Sequence, residues 1–116
     1  MADVIERIQS SSSGTIGRAH TTARGARLVL DSSSRAQADA FTNSEAFLAG
    51  VSSCGVTLIE MHARDTGIPV TRMEVTIEGV RAASEPTQFA GVTMTFAIAG
   101  VTQEQAEALV ETYRGR

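Results

Sequence analysis

Cys54 is the only thiol in this 116-residue sequence, and the chemistry open to a lone cysteine is narrow. It cannot close a disulfide within its own chain, and the two histidines, His20 and His62, stand at no zinc-ligand spacing from it. It can act as a nucleophile, because a thiolate that attacks a peroxide becomes a sulfenic acid. The thiolate must first be favoured, and nearby positive charge does that. All ten basic residues are arginines, and Arg18, Arg24 and Arg27 gather in the first quarter of the chain. Arg18 or Arg24 would have to reach Cys54. The same cysteine also reads as a small, inert core side chain.

Other chemistries leave no trace. There is no Gly-rich phosphate loop, no paired-carboxylate motif and no Ser/His/Asp grouping in a recognisable context, so neither cofactor nor metal is expected. A net charge of −3 argues against nucleic acid as a partner, which needs a clustered basic surface. The opening Met-Ala-Asp-Val-Ile-Glu-Arg does not read as a signal peptide, and no apolar run approaches the ~18 residues of a membrane span. The expectation is a cytoplasmic protein with no membrane partner. With 42% hydrophobic and 20% charged residues, the chain reads as one globular domain over 1–116, with 1–14 as a flexible N-terminal segment.

The elements that must position Cys54 follow from periodicity. Residues 3–9 predict one or two helical turns, with Val4, Ile5 and Ile8 on one side, and Ser10–Gly14 a flexible joint. Thr15–Thr22 and Arg27–Asp31 suit strands, with a turn at Gly25, and 32–41 reads as loop. Thr42-Asn43-Ser44-Glu45 has the form of a capping box that opens a helix running to about Asp65, before Gly67 and Pro69. Phe47, Val51, Cys54, Leu58 and Met61 make one stripe on it, flanked by Leu48, Ile59 and His62. From Ala46 to Ile59 no side chain is charged, so this helix must be covered on most sides.

Arg72–Arg81 then alternates, with Met73, Val75 and Ile77 inward. Ser84-Glu85-Pro86 turns the chain into an antiparallel strand with Val92, Met94, Phe96 and Ile98 inward. Thr102-Gln103-Glu104-Gln105 is a second capping box, opening a helix that buries Ala106, Leu109, Val110 and Tyr113. The order is β-β-α-β-β-α, an α+β fold. One four-stranded sheet covers one side of the central helix, so a second copy must cover another, and an obligate, intertwined homodimer is expected.

Glu45-Ala-Phe-Leu-Ala-Gly-Val-Ser-Ser-Cys54 resembles the segment that opens the central helix of the OsmC/Ohr family. Its Glu-to-Cys spacing of 9 resembles the OsmC-like branch more than the Ohr branch. Thr66-Gly67-Ile68-Pro69-Val70, the strand from Met73 to Gly79, and Gln105–Val110 are similar to later family segments, so the likeness spans about 42–114. The resemblance implies an interlocked homodimer that reduces organic hydroperoxides, with a thiol or dithiol reductant resetting it. It implies Cys54 as nucleophile, Arg24 or Arg18 as thiolate stabiliser, and Glu45 as the carboxylate that orients the arginine.

Two departures stand beside it. The family's second cysteine lies in a Cys-Pro motif after the late helix. Here the residues end at Tyr113-Arg-Gly-Arg116, where that motif would be expected: either the sequence is cut short, or this member lacks a resolving thiol and Cys54 would depend on an external one. The 32–41 loop also lacks the Gly-rich, Pro-containing approach common before the family's Glu. Nine residues at ~100° each put Glu45 and Cys54 on opposite sides of one helix, and the role of Glu45 as the closing half of its capping box fits better. Two rival readings remain. One is a non-catalytic dimer of the same fold binding a small apolar ligand between subunits. The other is a ferredoxin-like module whose helix lies half-exposed on one sheet.

Overall fold

A computed structural model describes residues 3–115. Its elements are β1 (Gln9–Ser12), β2 (Arg18–Ala23), β3 (Ala26–Asp31), α1 (Asn43–Thr66), β4 (Arg72–Val80), β5 (Gly91–Ala99) and α2 (Gln103–Arg114). They fall into two compact units, Met1–Phe47 and Leu48–Arg116. The α+β order expected from the sequence holds, with one strand added in front. Instead of one four-stranded sheet there are a three-stranded sheet, β1-β2-β3, and a separate pair, β4-β5.

The added strand corrects two expectations at the start of the chain. Residues 3–8 are irregular rather than helical, and most of the expected flexible joint is β1, paired antiparallel to β2 from Gln9↔Thr22 to Ser12↔Ala19. A helix of so few residues is marginal by itself, whereas a neighbouring strand satisfies the same backbone groups at once. The polar side chains suit this pairing, since the Ser10 and Thr21 hydroxyls meet at 3.1 Å. β2 and β3 form a hairpin closed by Arg24-Gly25, with register Ala23↔Ala26 at the turn and Arg18↔Asp31 at the open end.

In the second unit, β4 and β5 pair over nine residues each, from Arg72↔Ala99 to Val80↔Gly91. Their inward residues Met73 and Phe96 pack with Ile68, Val70, Val110 and Tyr113 around the buried Ile59, Ala63 and Leu109. The Thr102 capping box forms as read: its hydroxyl accepts from Gln105 N–H at 3.1 Å, and the Gln105 side chain accepts from Thr102 N–H at 2.9 Å. α1 ends in a Schellman closure, with Gly67 at φ 74° and Ile68 N–H donating to the Ala63 carbonyl at 2.9 Å.

α1 is buried along a different line from the stripe expected. Within one chain Gly55, Ile59 and Ala63 are covered, about 120° round from the stripe. Phe47 is 60% and Met61 52% exposed, and Cys54 is exposed as well. On length and composition alone α1 could cross a membrane, against the expectation that no segment approached that. Its small polar residues allow this by serving the helix itself. Ser52 Oγ donates to the Ala49 carbonyl at 3.1 Å, and Thr66 Oγ1 to that of His62 at 2.8 Å.

Gly55 faces β5 and α2 at close range. A Cβ there would lie 3.2 Å from Met94 Cε, 3.3 Å from Phe96 Cε2 and 3.6 Å from Tyr113 Cζ. The ring of Tyr113 is held by an edge-on contact with Phe96, centroids 5.9 Å apart, and its hydroxyl donates to the Val51 carbonyl at 3.3 Å. Gly55→Val should therefore cost about 1–3 kcal/mol by overpacking. Urea unfolding should show a lower midpoint with an unchanged slope.

Candidate functional site

The four residues expected to carry the chemistry fall in both units: Arg18, Arg24 and Glu45 in the first, Cys54 in the second. Cys54 sits midway along α1 with its side chain on the exposed stripe. Its carbonyl accepts from Thr57 Oγ1 at 3.5 Å. The thiol is thus open in one chain rather than an internal core group. Among the described residues, no three His, Cys, Asp or Glu side chains gather as a metal site.

Glu45 completes the capping box at the start of α1. Its Oε1 accepts from Thr42 N–H at 2.9 Å, and its own N–H donates to Thr42 Oγ1 at 3.1 Å. The negative charge also lies in the first turn, where it favours the helix dipole. One carboxylate oxygen, Oε1, is thus committed to the backbone.

Arg18 and Arg24 mark opposite ends of the β2–β3 hairpin. Arg18 opens it, across from Asp31. Its guanidinium donates to Asp31 Oδ2 at 2.9 Å and reaches Asp39 Oδ2 at 3.4 Å, and these two acids raise its pKa, Asp39 foremost. Arg24 stands at the turn itself with φ 55°, followed by Gly25 at 87°. Two successive positive φ values suit a type I′ turn, in which Asn or Gly is comfortable and an arginine is not. Arg24 therefore occupies a backbone position that costs it free energy. Of the two candidate cations, Arg18 is already neutralised on both sides, while Arg24 sits on the tip of a turn.

Asp31 is the residue that sequence reasoning missed. It is 1% exposed and is the one buried charged side chain among the described residues. Besides Arg18, it accepts at Oδ1 from Ser33 N–H and at Oδ2 from Gln37 N–H, both at 3.0 Å. The Ser33 hydroxyl, then these N–H groups and the guanidinium, hold the carboxyl well below the usual carboxylate range against the opposing effect of burial. A signal was available. A two-residue turn at Arg24-Gly25 places Asp31 directly opposite Arg18, so a charge ending the run Leu28-Val29-Leu30 meets its counter-ion across the hairpin.

A strand meander, a long helix, a hairpin and a closing helix define a class of α+β fold shared by other solved structures. An OsmC-like protein from Mycoplasma pneumoniae superposes with a TM-score of 0.85 at 15% identity, covering 99% of this chain and 84% of that one. An organic hydroperoxide resistance protein OsmC from Legionella pneumophila gives 0.74 at 26% identity, covering 99% and 85%. One from Elizabethkingia anophelis, an organic hydroperoxide resistance protein, gives 0.76 at 19%, covering 98% and 84%. No curated protein sequence matches the chain. The sequence model described as OsmC-like protein matches residues 36–116, and the chain belongs to that family.

The buried carboxylate gives this fold a signed response to acid. Asp31 has a folded pKa below its unfolded value, so its stabilisation is complete above about pH 4 and fades as pH falls toward the folded value. Asp31→Asn should lower Tm by roughly 5 °C or more at pH 7. The gap to the parent should narrow steadily below about pH 4 in thermal melts. A gap independent of pH would sink this account.

Proposed function

We propose that this chain is an OsmC-like redox protein that reduces organic hydroperoxides through Cys54 and works as a homodimer. The observation that carries the reading is the exposure of the sole thiol between the exposed Phe47 and Met61 on one stripe of α1, in a chain of this family. The hydroperoxide resistance proteins from Legionella and Elizabethkingia share the fold, and this supports the substrate class.

The chemistry balances with one external reductant. The Cys54 thiolate attacks one peroxide oxygen; the S–O bond forms, the O–O bond breaks, and the departing alkoxide takes a proton to become the alcohol. Sulfur is oxidised by two electrons to sulfenic acid and the peroxide is reduced by two. A thiol reductant then forms a mixed disulfide with loss of water, and a second thiol equivalent releases Cys54 reduced. The reducing cytoplasm suits that cycle. Arg24 is the cation assigned to the thiolate, because Arg18 is held by two carboxylates and Arg24 keeps a charge where the turn prefers another residue. Glu45 is the carboxylate that orients that cation.

A second copy supplies the missing cover. The chain's own sheet and second helix bury only the line Gly55, Ile59, Ala63, and an exposed stripe holding Phe47 and Met61 is a surface that soluble monomers rarely keep. A twofold contact between α1 stripes brings identical apolar faces together.

Three measurements test the reading. Organic hydroperoxide with a sulfenic-acid trap should label Cys54 and nothing in Cys54→Ser; an unmodified mass after long exposure removes the enzyme claim and favours an inert ligand-binding dimer. Arg24→Asn should raise stability by about 1 kcal/mol by relieving the turn while slowing peroxide consumption at least tenfold. Sedimentation should give twice the chain mass, and Met61→Glu should reduce it to one.

A further inference from the structure

Asp31 gathers more of the first unit's bonds than any role in the hairpin alone requires. Its side chain takes the N–H groups of Ser33 and Gln37 and the Arg18 guanidinium, while its own N–H donates to the Phe41 carbonyl at 2.8 Å. One residue therefore ties the beginning, the middle and the end of the 32–41 loop. Its neighbour completes the arrangement: Ser32 N–H donates to the Gly17 carbonyl at 2.8 Å, and Ser32 Oγ accepts from Asn43 N–H at 2.9 Å. Asn43 is the first residue of α1, and the capping pair Thr42 and Glu45 brackets it. Hydrogen bonds joined by single steps along the chain thus run from Arg18 through Asp31, Ser32 and Phe41 to the first turn of α1. The loop has no room to slide, because a Cβ on Gly17 would lie 2.7 Å from Ser33 Cα.

We infer that Asp31, gripped by Arg18, is a positioning residue that fixes the first turn of α1 and so sets the pose of the Glu45 carboxylate. Arg18 thereby has a defined task that does not require it to touch the thiol. The guanidinium neutralises Asp31 and links it to Asp39 across the loop, so Asp31 can stay ionised while it accepts two backbone bonds. The part of the inference that concerns peroxide reduction rests on the assignment of Glu45 and Cys54 above; the part that concerns the pose of Glu45 does not.

The experiment uses the full chain with Asp31→Asn, Arg18→Lys, Glu45→Gln and the Asp31→Asn/Glu45→Gln double variant. Amide exchange is read first. In Asp31→Asn the N–H groups of Gln37, Thr42 and Asn43 should exchange on the order of tenfold faster, over and above the change that lower global stability brings to β4 and β5. Arg18→Lys keeps the charge without the fork and should fall between parent and Asp31→Asn. Protection at Thr42 and Asn43 that changes no more than that of β4 and β5 overturns the positioning claim, whatever the chemistry does. Peroxide consumption is read second. Asp31→Asn should slow it, and the double variant should be no slower than Glu45→Gln alone, because both changes act through one carboxylate. Additive losses would place Asp31 outside the Glu45 pathway. A parent protein that consumes no peroxide would remove the assignment of Cys54 and leave the exchange result to stand or fall separately.

Discussion

The structure turns on the limited cover a short chain can give to one long apolar helix. The β4–β5 pair and α2 bury one line of it, Gly55, Ile59 and Ala63, and they reach that line closely only because position 55 has no side chain. The small residues of α1 make it apolar in outline, and the hydroxyls among them close on carbonyls a turn earlier, so little of the helix asks for water. What remains is a stripe with a sulfur at its middle and aliphatic and aromatic groups on either side. In this fold the surface that α1 leaves open within one chain and the position of the sole thiol are one and the same feature.

The first unit does a different job. Its three strands bury little, and their value lies in geometry: a hairpin whose closed end carries Arg24 and whose open end carries the Arg18–Asp31 pair. Two arginines of similar appearance in the sequence are thus separated by structure into distinct electrostatic settings. One is neutralised between two acids, and the other rests on a turn that holds its backbone in the left-handed region.

Much of this could be read before any coordinates. Period and capping chemistry gave α1 and α2 to within a residue or so, since Thr42/Glu45 and Thr102/Gln105 are local signals that tertiary contacts do not override. The alternation of β4 and β5 was legible for the same reason. β1 was not, because Gln9-Ser10-Ser11-Ser12 has no strand pattern of its own and becomes a strand only through β2. The buried line of α1 was also missed. Periodicity finds the most apolar stripe, but the chain places its own sheet against the smallest residue, and a glycine carries no hydrophobic signal. Asp31 was passed over because an acid closing an apolar strand looks like an ordinary solvated end, and its partner thirteen positions earlier is visible only once the register is known.

The choice of guanidinium at Arg18 makes the link between β3 and α1 one-sided. A lysine ammonium in that place would shed its proton in strong alkali and let the loop go from the basic side as well as the acidic. An arginine does not deprotonate in a protein, so the only group in the pair able to lose its charge is the carboxylate. Alkaline media thus leave the anchorage of the α1 N-terminus untouched, and any loss of order there at high pH must begin somewhere else in the molecule.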